Sequence, residues 1–445
     1  MPIAGGNPSV VSWELGLHTR RQIALRLLPF VFVLYVTNYL DRTNLAYAAL
    51  EMSRDLGLSD SVFGLAAGVF FLSYVALQIP GALLVELWSA RRCVSMIMVA
   101  WGSLTILTGL VHNAGQLYLA RFVLGAAEAG FFPGIVVYLS HWFLREDRAK
   151  AGSNFIAAIP VSFVVGSPLA GWILGRHWLG FDGWRWLFAL EGLPAVVLGM
   201  VAFFYLTDWP VEAAWLRPQQ RDWMVRALEQ EKPLDVAQVD KWRVLRSRPV
   251  LTLALAAFFE YFVFYTFAFW FPTMLKRLSG LSNARIGWLG TIPYLACLVA
   301  MLILGWHSDR HCERRVHAAI PLFIAAAALL GLLARPQSLG LTLALFSLVG
   351  MVQSFLPVFW AMPTEILGET AAATAVGFIN ATGSVAGFAG PYAFGYLATR
   401  TGSFSAGLTL MTVCCLFSGF LLLRAPQAGK VQLVEACRER PPAVT

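Results

Sequence analysis

The chain reads as an all-α membrane protein with twelve transmembrane helices in two pseudo-symmetric six-helix halves. Long apolar runs and an internal repeat predict this architecture, and charges set inside two of the runs locate the chemistry. Of 445 residues, 58% are hydrophobic and 13% charged, with a mean hydropathy of +0.66. A helix needs about 20 apolar residues to cross roughly 30 Å of hydrocarbon. Twelve such runs occur, near 24–46, 62–84, 92–112, 116–142, 150–175, 186–207, 250–275, 286–306, 316–334, 339–363, 372–398 and 403–424. Only helices and closed barrels satisfy backbone hydrogen bonds in lipid, and runs this long are helical.

The charge pattern orients the spans. The net charge is +8. With the amino terminus inside, 23 of the 33 Lys and Arg fall on cytoplasmic segments and eight on outer loops. Arg42 and Arg121 lie within spans. This is the positive-inside pattern, which places both termini in the cytoplasm. The basic surplus is therefore topology, and no nucleic-acid partner is expected. The first 20 residues lack an apolar core, so the first span is expected to act as its own insertion signal. All six cysteines fall in spans or on the inner side, so no outer-face disulfide framework is expected.

The domain order follows. Residues 1–23 are a cytoplasmic amino tail, 24–207 the first bundle, 208–249 a cytoplasmic linker, 250–425 the second bundle and 426–445 a cytoplasmic carboxyl tail. The linker opens with Asp208-Trp209-Pro210 and contains amphipathic stretches such as 219–230, which predict short surface helices. Sliding the second bundle onto the first gives one gapless offset of 224 residues. Gly81 falls on Gly305, Arg91 on Arg315, Pro133 on Pro357 and Gly166 on Gly390. Gly171 falls on Gly395, Trp172 on Tyr396 and Arg176 on Arg400. Repetition at one offset across separate segments indicates duplication, as in secondary transporters, whose substrates bind near the midplane between repeats.

Within that frame, Asp41 and Arg42 interrupt the apolar run 27–50, and Arg121 and Glu128 interrupt 117–142. An ionisable group in a span costs several kcal/mol and marks a functional site by default. In the second half the matching positions are Tyr265, Thr266, Leu345 and Val352, so the charge belongs to one half. At 1.5 Å rise per residue, Arg42 lies roughly 24 Å from the inner boundary and Arg121 about 23 Å, so the two arginines share a level. Glu128 lies seven residues from Arg121, on the same face and two turns deeper. Arginine offers a fork suited to a carboxylate ligand, and a carboxyl between burial and an arginine titrates in a useful range. An organic anion would compete with Asp41 and Glu128 for Arg42 and Arg121, and protonating either acid would release an arginine to it. The competing reading is a pair of structural salt bridges.

Tyr39, Tyr74, Tyr265, Trp360 and Asn380 are further cavity candidates, although span tyrosines and tryptophans more often pack or sit at interfaces. Glu260, about 15 Å into the seventh span, is a possible additional site. His307, His311 and Cys312 have metal-like spacing but lie in a basic inner loop, and no metal is expected. The sequence has no phosphate-cradling Gly-Lys-Ser/Thr loop, His-Glu-x-x-His or Gly-x-Ser-x-Gly arrangement, so neither direct ATP use nor hydrolase chemistry is expected.

Several motifs resemble the major facilitator superfamily and, within it, the anion:cation symporter family. Gly305-Trp306-His307-Ser308-Asp309-Arg310 with Arg314-Arg315 is similar to the superfamily's inner-loop motif. The counterpart from Gly81 to Arg91-Arg92 is degenerate, with Val85 at the Asp position and Glu86 beside it. Asn38-Tyr39-Leu40-Asp41-Arg42-Thr43-Asn44, Arg121-Phe122-x-x-Gly125-x-x-Glu128, Gly183-Trp184-Arg185-Trp186, Phe269-Trp270-Phe271-Pro272 and Gly387-Phe388-x-Gly390-Pro391-Tyr392 carry the closer resemblance, which covers 20–425. It implies the major facilitator fold and a bacterial inner-membrane, proton-coupled carrier of carboxylates. It also implies Arg42 and Arg121 as substrate- and coupling-linked arginines, Asp41 and Glu128 as proton-linked acids, and Tyr74 and Asn380 in the cavity wall. Glu86, Arg91, Arg92, Asp309 and Arg310 become inner-loop gating candidates. Glu260 stands where that family is expected to be uncharged.

The expectation is a non-enzymatic monomer in the lipid bilayer that imports an organic anion with protons by alternating access. The proton is its coupling ion, and no cofactor is expected. Efflux of amphipathic compounds by proton antiport and a non-transporting membrane sensor are the alternatives.

Overall fold

A computed structural model of the chain describes residues 8–231, 241–334, 336, 338–367 and 369–426. The first half comprises α1 (Pro8–Asp55), α2 (Asp60–Leu87), α3 (Ala90–Thr108), α4 (Ala114–Glu128), α5 (Phe131–Trp142), α6 (Arg145–Ile156), α7 (Ala158–Ile173) and α8 (Gly183–Tyr205). The linker carries α9 (Pro218–Gln230) and α10 (Lys241–Leu245). The second half comprises α11 (Arg248–Ser279), α12 (Asn283–His311), α13 (Arg315–Leu333), α14 (Leu339–Gly350), α15 (Leu356–Leu367), α16 (Glu369–Thr401) and α17 (Ser405–Leu423). Among the described residues, β structure is limited to the isolated bridge Trp178–Phe181.

Eleven described helical stretches are long and apolar enough to cross a membrane. The remaining expected span, 372–398, falls on α16, a helix of 33 residues in which Thr, Asn, Gly and Ser interrupt the apolar run. The amphipathic stretch 219–230 falls within α9, while linker residues 232–240 and carboxyl-tail residues 427–445 lie outside the described residues. Helix bounds run past several of the expected spans, and the first span differs most. Helix α1 runs through 48 residues, far beyond 24–46, because helical backbone bonding continues where the apolar sequence stops. Arg20 anchors that extension to Glu146 and Asp147, at 2.5 and 2.7 Å, in the acidic first turn of α6.

The repeat is visible in the helix bounds. Shifting Asp60–Leu87 by 224 residues gives 284–311, against the observed Asn283–His311. Shifting Ala90–Thr108 gives 314–332, against Arg315–Leu333. The fourth span breaks after Glu128, and its counterpart breaks at the 3₁₀ turn Met351–Phe355. Both halves therefore interrupt the equivalent helix at an equivalent depth.

Close packing of small residues carries the bundle, as expected where lipid supplies no hydrophobic drive between helices. A Cβ on Gly81 would lie 2.6 Å from the Gly130 Cα, and one on Gly102 would lie 2.7 Å from the Gly192 carbonyl. The two halves meet along α2–α16, α7–α12 and α1–α11. At the end expected to face out, α7 and α12 touch backbone to backbone, a Cβ on Gly171 falling 2.7 Å from the Gly287 Cα. The related seam joins α2 to α16, where a Cβ on Gly395 would lie 2.4 Å from the Asp60 carbonyl. Arg277 of α11 grips Asp60 of α2 through two bonds of 2.5 and 2.7 Å. Asn283 donates to Glu51 at 2.6 Å, and the Ser61 N–H donates to Thr399 Oγ1 at 2.8 Å.

Gly395→Leu should force α2 and α16 apart at this end. Overpacking costs about 1–3 kcal/mol, so the yield of a Ser61→Cys/Thr399→Cys cross-link should fall by roughly tenfold. An undiminished yield would show that the seam repacks around the new side chain.

Candidate functional site

The charged residues assemble because α4 lies directly on α2. Gly125 sits one turn from both Arg121 and Glu128 on the same face of α4. A Cβ there would fall 2.1 Å from the Phe70 carbonyl. Its absence lets the helices touch, and Ser73 Oγ donates across the contact to the Phe122 carbonyl at 2.5 Å. Arg121 and Glu128 are thereby carried inside, each 1% exposed.

Helix α1 supplies the opposite side through Asn38, Asp41 and Arg42. Glu128 Oε2 accepts from Asn38 Nδ2 at 3.0 Å and from Arg42 Nη2 at 3.4 Å. Asp41 Oδ1 accepts from Thr105 Oγ1 of α3 at 2.6 Å and from Asn44 Nδ2 at 2.9 Å. Both guanidiniums lie over the Phe70 ring, Arg121 at 4.8 Å and Arg42 at 5.5 Å, so the arginines do share a level. Tyr39 and Tyr74 complete an aromatic collar around Arg42, at 4.9 and 5.0 Å.

The network is half satisfied. Asp41 Oδ2, Glu128 Oε1, Arg42 Nε, and Arg121 Nε and Nη2 have no hydrogen-bond partner among the described residues. Buried polar networks are stabilising only when every member is bonded, so this arrangement has capacity for additional protons or polar atoms.

A polar cavity lies beside this set, at the junction of the halves. The first half lines it with Tyr39, Arg42 and Tyr74, and the second with Tyr265, Trp360 and Asn380. These six expected residues, drawn from both halves, therefore face one space. Arg42 is the charged residue in the described lining. Arg121, expected to meet substrate, is instead buried behind the wall, because Gly125 draws its face of α4 against α2 rather than toward the junction. Asp41 and Glu128 are also outside the lining, one layer back from Arg42.

Sequence reading missed Tyr35, Tyr261, Gln353 and Ser384 in the same lining. Tyr35 lies one and two turns from Tyr39 and Arg42, and Tyr261 one turn from Tyr265, so helical register could have found both. Gln353 and Ser384 were visible as polar residues within apolar runs. So was Glu191 of α8, which is 2% exposed with neither carboxylate oxygen hydrogen-bonded among the described residues. Glu260 is also buried and outside the cavity lining.

The inner-loop candidates fall into two separate sets of contacts. Asp309 pairs at 2.7 Å with Arg314, and Arg314 Nε also reaches Glu365 of α15 at 3.1 Å. Arg310, one turn beyond Trp306 on α12, lies over the Trp306 ring at 5.6 Å. In the first half, Val85 is buried against Gly134 where the acid would be, and Glu86 points outward. The acid comes from the linker: Asp208 accepts from Ser89 Oγ at 2.6 Å and from the Arg91 N–H at 2.8 Å, capping the start of α3. Arg91 also lies over the Phe203 ring, and Arg92 donates its N–H to Ser89 Oγ. His307 and His311 pair with His317 and a backbone carbonyl, and no group of three or more metal-ligating side chains occurs among the described residues.

Glu313 caps α13 in the same loop. Burial raises its carboxyl pKa, but the Val316 and His317 N–H groups and the His317 ring outweigh this and hold it below the ordinary value. A depressed carboxyl contributes stability above its unfolded value and loses it as pH falls through the folded one. Below about pH 4, hydrogen exchange at Val316 and His317 should accelerate. Glu313→Gln should remove that pH step, and a step that persists would assign it elsewhere.

A multi-pass helical bundle of two repeated halves enclosing a polar cavity at their junction defines a membrane transporter. The sequence pattern of the Major Facilitator Superfamily matches residues 31–391 and, separately, 253–445. The chain belongs to this superfamily, whose members are transporters rather than enzymes. It is 38% identical over 93% of its length to a putative tartrate transporter of Agrobacterium vitis, spanning 92% of that protein. It is 34% identical over 89% of its length to a quinolone resistance transporter of Acinetobacter baumannii, again spanning 92%. A solved bacterial homologue of the human lysosomal transporter Spinster, inward-facing and unoccupied, shares the fold with a TM-score of 0.75 at 18% identity, covering 99% of this chain and 100% of that one.

Removing Asp41 would leave two buried donors unbonded and take a counter-charge from Arg121. Asp41→Ala should therefore destabilise the detergent-solubilised protein by about 3–5 kcal/mol, the cost of breaking a buried charge set. Asp41→Asn should cost much less. Equal melting of Asp41→Ala and the unsubstituted protein would show that these bonds do not support the bundle.

Proposed function

We propose that the protein is a secondary active importer of an organic anion, coupled to protons, in the bacterial inner membrane with both termini cytoplasmic. The observation that carries this reading is the position of Arg42, which faces the cavity and is also held by the buried acid Glu128. An anion entering the cavity meets Arg42, and its carboxylate competes with Glu128 for the guanidinium. Once Arg42 turns to the substrate, Glu128 loses its counter-charge, and an unpaired buried carboxylate takes a proton rather than remain ionised. Anion and proton therefore load together.

Electroneutrality makes the coupling general. Asp41, Glu128 and Glu191 can hold three negative charges against the two positive charges of Arg42 and Arg121, so the empty set retains one proton. Each further negative charge delivered to Arg42 calls for another. Glu128, bonded to Arg42, is the acceptor in this scheme. Asp41 keeps Arg121 in place and tunes the acceptor. Tyr39, Tyr74, Tyr265, Trp360 and Asn380 shape the remainder of the anion's site.

Alternating access would use the broken fourth and tenth spans and the glycine seams between the halves. The tartrate name of a close relative supports a carboxylate substrate. The quinolone-resistance name of another, with the aromatic cavity wall, favours a second reading: efflux by proton antiport.

Uptake into proteoliposomes of a carboxylate panel that includes tartrate distinguishes these readings. Under an inward proton gradient, symport should accumulate at least one acid by about tenfold or more, since one pH unit stores 1.36 kcal/mol. Antiport should deplete the compound instead, and no accumulation of any acid would reject the symport reading. Glu128→Gln should abolish gradient-driven accumulation while sparing exchange of the same acid across the membrane. Accumulation retained by that variant would remove Glu128 from the coupling.

A further inference from the structure

Glu260 is an acid for which the charge set of the first half has no use. It sits on α11, is 0% exposed, and neither carboxylate oxygen has a hydrogen-bond partner among the described residues. The titratable side chains within reach of its charge are Tyr261 beside it on α11, Cys297 on α12 and Cys415 on α17. None carries a positive charge. Helices α1, α10, α14, α15 and α16 and the turn Met351–Phe355 also pack on α11, and none contributes a titratable or charged group acting on Glu260. Arg42 of α1 acts on Tyr265 instead.

An ionised carboxylate in such surroundings costs several kcal/mol, so this packing accommodates the acid form. A purely structural acid would be expected to bond its O–H and C=O, as buried polar groups generally do. Here both atoms are orphaned.

The Met351–Phe355 turn supplies an independent observation. It breaks the span Leu339–Leu367 with a 3₁₀ segment, a form that in mid-helix often marks a hinge. Gln353 of this turn lines the central cavity, while Ser354 is 0% exposed. Gln353 Oε1 and Ser354 Oγ also lack partners among the described residues. Two elements in contact thus hold four unbonded buried polar atoms, one of which, Gln353 Oε1, belongs to a residue that lines the cavity. A bridging water needs about two to four polar partners of this kind.

We propose that Glu260 is a second proton-binding site, exchanging its proton with the central cavity through Ser354 and Gln353. The Glu260 O–H bond breaks, its proton passes to water held at Ser354 Oγ, and a hydronium is released past Gln353 Oε1, leaving the carboxylate. The reverse path reloads it. The site lies in the half that the anion-coupling scheme leaves uncharged, and it does not depend on which compound is carried.

Infrared difference spectroscopy of the full-length protein in lipid nanodiscs, with no substrate added, tests the site separately from transport. Subtracting the Glu260→Gln spectrum should leave one protonated-carboxyl C=O band. That band should shift in D₂O and weaken between about pH 5 and 9, the range open to a buried acid. Glu260→Asp should move the band rather than delete it, and it carries the same test if Glu260→Gln fails to fold. Ser354→Ala should slow the D₂O shift by about tenfold, as expected for losing one hydrogen-bonded step. The proposal is overturned by the absence of the band, by a band that neither exchanges nor titrates, or by exchange that Ser354→Ala leaves unchanged.

Discussion

A carboxylate inside a bilayer has to be held by something, and Glu128 is held by Asn38 and Arg42. Much of the first half is arranged around that bond. Helix α4 must lie close enough to α2 to bury Glu128, which requires glycine at 125, and α1 must present Arg42 one turn beyond Asn38. The 3.4 Å arginine contact is long for a charge-assisted bond. Arg42 is thus poised between its internal acid and the cavity, while Arg121 is committed to the interior. Two arginines of the same type at the same level have separate duties because a single missing side chain turns one of them inward.

The fold was largely legible in the sequence. Apolar run length located the spans, and the 224-residue offset foretold helix bounds to within a residue or two. Positions such as Arg42, Tyr74 and Asn380 were found because polar or aromatic groups in lipid stand out. Other features were not legible, for physical reasons. The inward turn of Arg121 depends on helix–helix distance, which no one-dimensional spacing encodes. The partner of Arg91 is Asp208, more than a hundred residues away and across a loop. The apolar pattern could not show that α1 continues to Pro8, since helix formation outside the bilayer needs only local propensity and an anchor such as Arg20.

Duplication supplied two similar frames, and the differences between them are chemical. The fourth span and its counterpart break at matching depth, with Glu128 at the first break and Gln353 and Ser354 at the second. A broken helix at membrane depth is tolerated where it is buried in protein or lines a cavity, and both breaks satisfy that condition. One frame therefore brings charge to the break and the other brings neutral hydrogen-bonding groups.

The glycine seams have a mechanical consequence. Where Gly171 meets Gly287 and Gly395 meets the Asp60 carbonyl, backbone faces backbone, and side-chain bonds such as Arg277 with Asp60 flank the contact. Interdigitated side chains would act like teeth that must unmesh, each hop adding friction to every opening. Bare backbone acts more like a pair of polished plates, which seal at short range and separate without climbing over one another. The glycine contacts thus supply closeness at this end, and the bonds around them, Arg277 with Asp60 and Asn283 with Glu51, supply the hold.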